Sequence, residues 1–184
     1  ENWKEGHCLG VTAAGDVNIP FTFDGRRWKA GKQVEVTAEQ KVSAYYPYNV
    51  QYTDMTAIPV DITTQEDYMY GEGGVSVEKP SAVLVMKHAL SLVRILIKKN
   101  DYTGDGRVDA VTFGGVRLSA SMDVTSGKLL PTGQPGEYKA GGNYTLDDAS
   151  PVYVEAILMP VGTAEGITVN VHVDGRDFTY ALPP

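Results

Sequence analysis

A chain of 184 residues with 42% hydrophobic and 21% charged side chains can bury one large core or two small ones without crosslinks, and neither figure suits a disordered or fibrous protein. A net charge of -7 excludes the cationic surface with which proteins neutralise nucleic-acid phosphates. The single cysteine, Cys8, excludes an intrachain disulfide and a thiolate metal cluster.

Strand signals begin early, with a first strand expected over 8–13. Cys8 follows Trp3, Lys4, Glu5, Gly6 and His7, which lack the apolar run of an export signal, so it reads as a small buried hydrophobe on that strand. Asp24-Gly25, between 19–23 and 26–29, supplies the residues of a tight turn and predicts a hairpin. Further strands are expected over 33–37, 42–48 and 58–62. The glycines Gly71, Gly73 and Gly74, followed by Lys79-Pro80, mark an internal boundary that divides the chain into 1–79 and 80–184.

The apolar stretch 83–97 contains Lys87, His88 and Arg94, which makes it a poor membrane span. Val83, Met86, Leu90, Val93 and Ile97 would share one face of a helix, so periodicity alone leaves two readings. Its Val, Ile and Leu content favours two strand pieces bent at His88-Ala89-Leu90, with a helix as the alternative. Strands follow over 108–120 and 152–159, with a loop or ragged hairpin at 134–137 and 140–142. Last comes the clearest signal: Val169, Val171 and Val173 alternate with polar residues, Asp174-Gly175 turns the chain, and Phe178, Tyr180 and Leu182 alternate on the return. Twenty glycines and ten prolines at short intervals fit an all-β sandwich of many short strands.

Little points to chemistry. His7, His88 and His172 are far apart and form no metal-binding pair, and there is no nucleophile elbow and no phosphate-cradling loop. No catalytic residue and no resident cofactor are expected. One segment, 101–109, copies the opening of a calcium loop, with oxygen donors at Asp101, Thr103, Asp105 and Asp109 and glycine at Gly106. Thr112 stands where the closing bidentate carboxylate belongs, and a glycine-rich turn explains the same residues without an ion. Tyr45, Tyr46, Tyr48 and Tyr52 cluster, with Tyr68 and Tyr70 nearby, and Tyr46, Tyr48 and Tyr52 are candidates for a sugar-stacking platform. Tyr45 and Tyr46 fall on opposite faces of a strand, however, so at least part of the cluster must pack inside. Asn143 opens a formal glycosylation sequon.

The ordered set of phrases resembles the fimbrillin family of Bacteroidales surface pilins and pilus-associated lipoproteins. Trp28 precedes Tyr45-Tyr46-Pro47-Tyr48, an acidic and aromatic segment runs from Gln65 through Asp67, Tyr68 and Tyr70, and the hydrophobic strand is broken at His88-Ala89-Leu90. The strand containing Val154, Glu155, Leu158 and Pro160 completes the order. The resemblance implies two tandem transthyretin-like β-sandwiches, no enzymatic activity, and a cell-surface protein at the outer membrane or in a fimbrium. It further implies export as a lipoprotein precursor whose anchoring cysteine lies upstream of the mature domain, outside this sequence, and assembly with other pilin subunits by donor-strand exchange. A host or bacterial receptor or glycan is a possible adhesive target, and a glycan-binding module using the tyrosines and the 101–109 loop is the competing expectation. The pattern departs from the family at both ends, at Glu1 and at Pro183-Pro184, and a last strand is expected to be missing from the second sandwich.

Overall fold

The computed structural model describes residues 3–183. Its strands are β1 (Cys8–Ala13), β2 (Asp16–Phe23), β3 (Trp28–Ala30), β4 (Gln40–Tyr46), β5 (Ile58–Asp61) and β6 (Met69–Val75). There follow β7 (Val85–His88), β8 (Ser91–Ile97), β9 (Arg107–Val116), β10 (Ser119–Met122) and β11 (Leu129–Thr132). The last are β12 (Gly136–Gly141), β13 (Tyr144–Thr145), β14 (Val152–Leu158), β15 (Thr168–Val173) and β16 (Arg176–Ala181). Among the described residues one 3-10 turn, Ile62–Thr64, interrupts an otherwise all-β fold. Residues 3–60, 66–90 and 120–130 form one compact unit, and 61–65, 91–119 and 131–183 form another.

This grouping differs from a division at 79/80. β7 pairs antiparallel with β6, Met69 opposite His88, which keeps 80–90 with the first unit, and 120–130 returns to it much later in the chain. The glycines at 71, 73 and 74 belong to β6 and do not form a linker.

The first unit is built on a six-stranded sheet of order β3-β2-β1-β4-β6-β7. Strand alternation places Leu9, Val11 and Ala13 with Val42, Ala44 and Val75 on one face as a buried cluster. Residues 33–37 form no strand: Val34 and Val36 lie against that cluster and contribute apolar area without entering a ladder. The Asp24-Gly25 hairpin exists with a wider loop than a two-residue turn, because β2 and β3 first pair at Phe23 and Trp28. The Asp24 carboxylate bridges this loop, accepting from the N–H groups of Arg26 and Arg27. The Lys29 ammonium, then those N–H groups, hold it well below the usual carboxylate range. Cys8 is half-buried, not enclosed. β5, β10 and β11, whose residues fall largely to this unit, make a three-stranded sheet of order β11-β10-β5 in which Ile58, Val60 and Met122 are wholly buried.

The second unit is a sandwich. One sheet has the order β12-β9-β15-β16, with β13 also paired to β9, and the other has only β14 and β8. The ambiguous 83–97 stretch is two strands with a bend at Ala89-Leu90, because β7 and β8 each find an antiparallel partner, in β6 and β14. The expected 108–120 strand divides into β9 and β10, and the ragged 136–141 segment pairs with β9 with two register shifts. The last hairpin pairs Val173 with Arg176 across Asp174 (φ 49°) and Gly175 (φ 74°).

Candidate functional site

In the second unit, an open apolar groove of about 750 Å³ runs between the two sheets. Val169, Val171 and Val173 of β15 form its buried floor. On β16, Phe178 is half-buried and Tyr180 is 59% exposed, although they stand opposite Val171 and Val169 in the ladder, and Leu182 just past the strand is half-buried. Val93, Ile95 and Ile97 of β8 form the wall and are also only half-buried. The cause is strand count. β14 packs beside β12, β8 faces β15, and among the described residues no strand lies over β16. Neighbouring strands lie about 4.8 Å apart, so one more strand beside β8 would cover it.

The backbone of β8 is open on the same side. On β14, both the N–H and the C=O of Ile157 bond to the Gln65 side chain, at 2.8 and 3.1 Å, so they point away from β8. Ile157 opposite Leu92 is therefore a non-hydrogen-bonded pair, and β8 exchanges its bonds with β14 through Ser91, Val93, Ile95 and Ile97. Leu92, Arg94 and Leu96 direct their N–H and C=O groups to the free edge. The two edges of this small sheet thus differ. The β14 edge is closed at Ile157 by the Gln65 amide, whose own backbone is held at φ 54° by the turn. The β8 edge has no such cover among the described residues.

Lys98 and Lys99 stand at one end of the groove, and among the described residues no Asp or Glu lines it. The third cation, Arg94, is paired with Glu155 on the outer face and lies 5.8 Å from the centre of the Tyr153 ring.

The 101–109 loop is closed from within the protein. Asp174 accepts from the Tyr102 hydroxyl, the Gly106 N–H and the Arg107 N–H, each at 2.9 Å. The Gly106 and Arg107 N–H groups hold its carboxyl below the ordinary range. Asp101, Thr103, Asp105 and Asp109 are not brought together: Asp109 lies within β9, and among the described residues no group of three or more His, Cys, Asp or Glu could hold a metal ion.

The tyrosines separate as alternation requires. Tyr45 is fully buried, its hydroxyl donating to Asn18 Oδ1 at 2.8 Å and accepting from the Asn49 N–H at 3.2 Å, and burial pushes it up to about 12. Tyr52 lies against it, with ring centres 5.9 Å apart. Tyr46 faces the other way, into Trp3 and His7, with Trp28 beyond. Trp3 meets His7, Trp28 and Tyr46 at 88°, 80° and 72°, an edge-to-face arrangement that gives no coplanar row for a sugar. Tyr48 is half-buried beyond the cis Tyr46–Pro47 bond, its N–H bonded to Cys8 O. On that same face of the first unit a smaller apolar groove, about 390 Å³, lies among Leu9, Val42, Val34 and Leu84.

His88 bonds to a carboxylate. Its Nδ1 lies 2.7 Å from Asp67 Oδ2, and the Ala89 N–H donates to Tyr68 O at 2.8 Å. Ala89 and Leu90 are buried. The acidic and aromatic segment and the His88-Ala89-Leu90 step, distant in sequence, thus meet in one place. Sequence reasoning did not find the open β8 edge, the Gln65 clamp or the role of Asp174. Strand patterning shows which residues face inward but carries no count of strands per sheet.

No curated protein matches this chain. Among solved structures, a "putative cell adhesion protein" of Bacteroides uniformis is similar over 97% of this chain and 79% of its own, with a TM-score of 0.79 and 20% identity. Another so described, from Bacteroides ovatus, is similar over 98% and 77%, with a TM-score of 0.74 and 17% identity. A fimbrial protein of Bacteroides ovatus matches all of this chain over 42% of its own length, with a TM-score of 0.52 and 15% identity. These identities speak for the fold. The Fimbrillin-like family model matches residues 2–184, and the chain therefore belongs to the fimbrillin-like family.

Proposed function

We propose that this is a non-enzymatic cell-surface protein, a subunit, tip or anchor component of an adhesive pilus, exported as a lipoprotein, that joins other pilin subunits by strand addition along β8. Membership of the fimbrillin-like family supports the class, and the names of the similar structures, cell adhesion and fimbrial, agree with it. The observation that carries the mechanism is the coincidence of an unpaired backbone edge and an uncovered apolar floor at one place.

An unpaired edge is a template for another chain, and added strands gain affinity from backbone bonds and specificity from alternate side chains. Leu92, Arg94 and Leu96 offer three N–H and three C=O groups, each bond contributing ~0.5–1.5 kcal/mol net. Three large side chains seated over Phe178, Tyr180 and Leu182 would add ~1.5–3 kcal/mol each. The gross gain, on the order of 10 kcal/mol, is comparable with the ~4–15 kcal/mol cost of association. A durable joint therefore requires a strand that fills the groove along its length.

The test uses the complete gene product, treated with a Lys/Arg-specific protease and run on a gel without heating. A heat-sensitive, detergent-resistant ladder that disappears in Ile95→Arg is the expected result. A single band in both proteins would rule out polymerisation through this groove.

A further inference from the structure

We infer that the strand received beside β8 is acidic at one end, with carboxylates lying against Lys98 and Lys99. The inference rests on the strand-addition reading and adds the partner's chemistry and alignment. In a chain of 16 Lys and Arg against 23 Asp and Glu, the groove is lined, among the described residues, by three cations and no Asp or Glu. Arg94 is already paired with Glu155, which leaves the two lysines at the Ile97 end. Lys98 is exposed, and Lys99, two residues past the end of β8, is half-buried; both line the groove. Neither forms an ion pair within the described residues.

The carboxylate of Asp174 near Lys99 accepts instead from Tyr102, Gly106 and Arg107. The ammonium groups are therefore available to an incoming chain. The opposite end of β8, at Ser91, carries no cation in the groove. A strand with carboxylates at one end is thus favoured in one alignment and disfavoured when slipped or reversed, which fixes register where the apolar repeat alone would permit a two-residue slip.

The probe is a set of blocked peptides in which valine alternates with threonine over seven positions, carrying two glutamates before the strand, two after it, or two glutamines at both places. Binding is measured at low and high salt, with hydrogen exchange of the Leu92, Arg94 and Leu96 amides reporting the site. One glutamate peptide is expected to bind about three- to tenfold more tightly than the glutamine peptide at low salt. The advantage should shrink at high salt and vanish in the K98Q/K99Q variant, which still binds the glutamine peptide. Equal affinity of all three peptides, with the β8 amides protected, would overturn the charge assignment and leave strand addition standing. An advantage that survives in K98Q/K99Q would overturn the role of these lysines. Failure of every peptide to protect the β8 amides would overturn strand addition itself.

Discussion

Tyr45 shows how much one residue can organise. Its ring crosses directly over Gly10: a Cβ there would sit 2.1 Å from Tyr45 Cε1 and 2.6 Å from Asn18 Oδ1. Gly10→Ala is therefore expected to cost about 1–3 kcal/mol by overpacking, measured by urea denaturation. The hydroxyl gives a pH dependence. Its folded value of about 12 lies above the ~10 of an unfolded tyrosine, so the folded state holds the proton more tightly. That contribution is present in full below pH ~10 and is lost as pH rises towards 12. Stability should fall over this window, and Tyr45→Phe should reduce the slope. Burial also raises Tyr138 and Tyr144, so some alkaline loss will remain. Strand parity set Tyr45 and Tyr46 on opposite faces without saying which of them is the buried one. Tyr45's partner Asn18, at φ 56°, had no local signal because the contact spans 27 residues.

Among the elements, β8 repays the closest reading. Its two rows of amides behave differently if Ser91, Val93, Ile95 and Ile97 alone bond to β14. Proline is tolerated where a strand's N–H faces outward and harmful where it breaks a ladder. Leu96→Pro is thus expected to leave the protein folded and clearly more stable than Ile95→Pro in thermal unfolding, while abolishing strand addition. Gln65→Ala should expose the Ile157 N–H and C=O and lower stability by about 1–3 kcal/mol. It should also promote association through the β14 edge, seen as higher-order species in light scattering that persist in Leu96→Pro. The hairpin at 168–182 and the bend at 88–90 were legible because alternation and turn chemistry are local. The 33–37 segment was misread because Val34 and Val36 alternate as a strand would yet pack without a ladder partner. The Gln65 clamp spans 92 residues and has no counterpart in any local pattern.

For the whole molecule, the all-β class and the family were readable from composition and ordered motifs, whereas the division of the chain was not. Glycines inside β6 look like linker glycines, and the return of 120–130 to the first unit is a long-range event. Because each unit has its own core, filling the groove should stabilise the second unit without equal effect on the first. A bound strand peptide at a hundredfold excess over Kd contributes about 2.7 kcal/mol. Calorimetry should show a thermal transition rising by roughly 10–20 °C, while hydrogen exchange in the β1–β4 ladder of the first unit changes little.

Hydrogen exchange on β8, in the isolated protein and in its assembled form, tests the open edge most directly. In isolation the amides of Leu92, Arg94 and Leu96 should exchange fast and those of Val93 and Ile95 slowly; on assembly the first three should become protected. Uniform protection in the isolated protein would mean the edge is already paired, and unchanged fast exchange after assembly would mean that subunits join elsewhere.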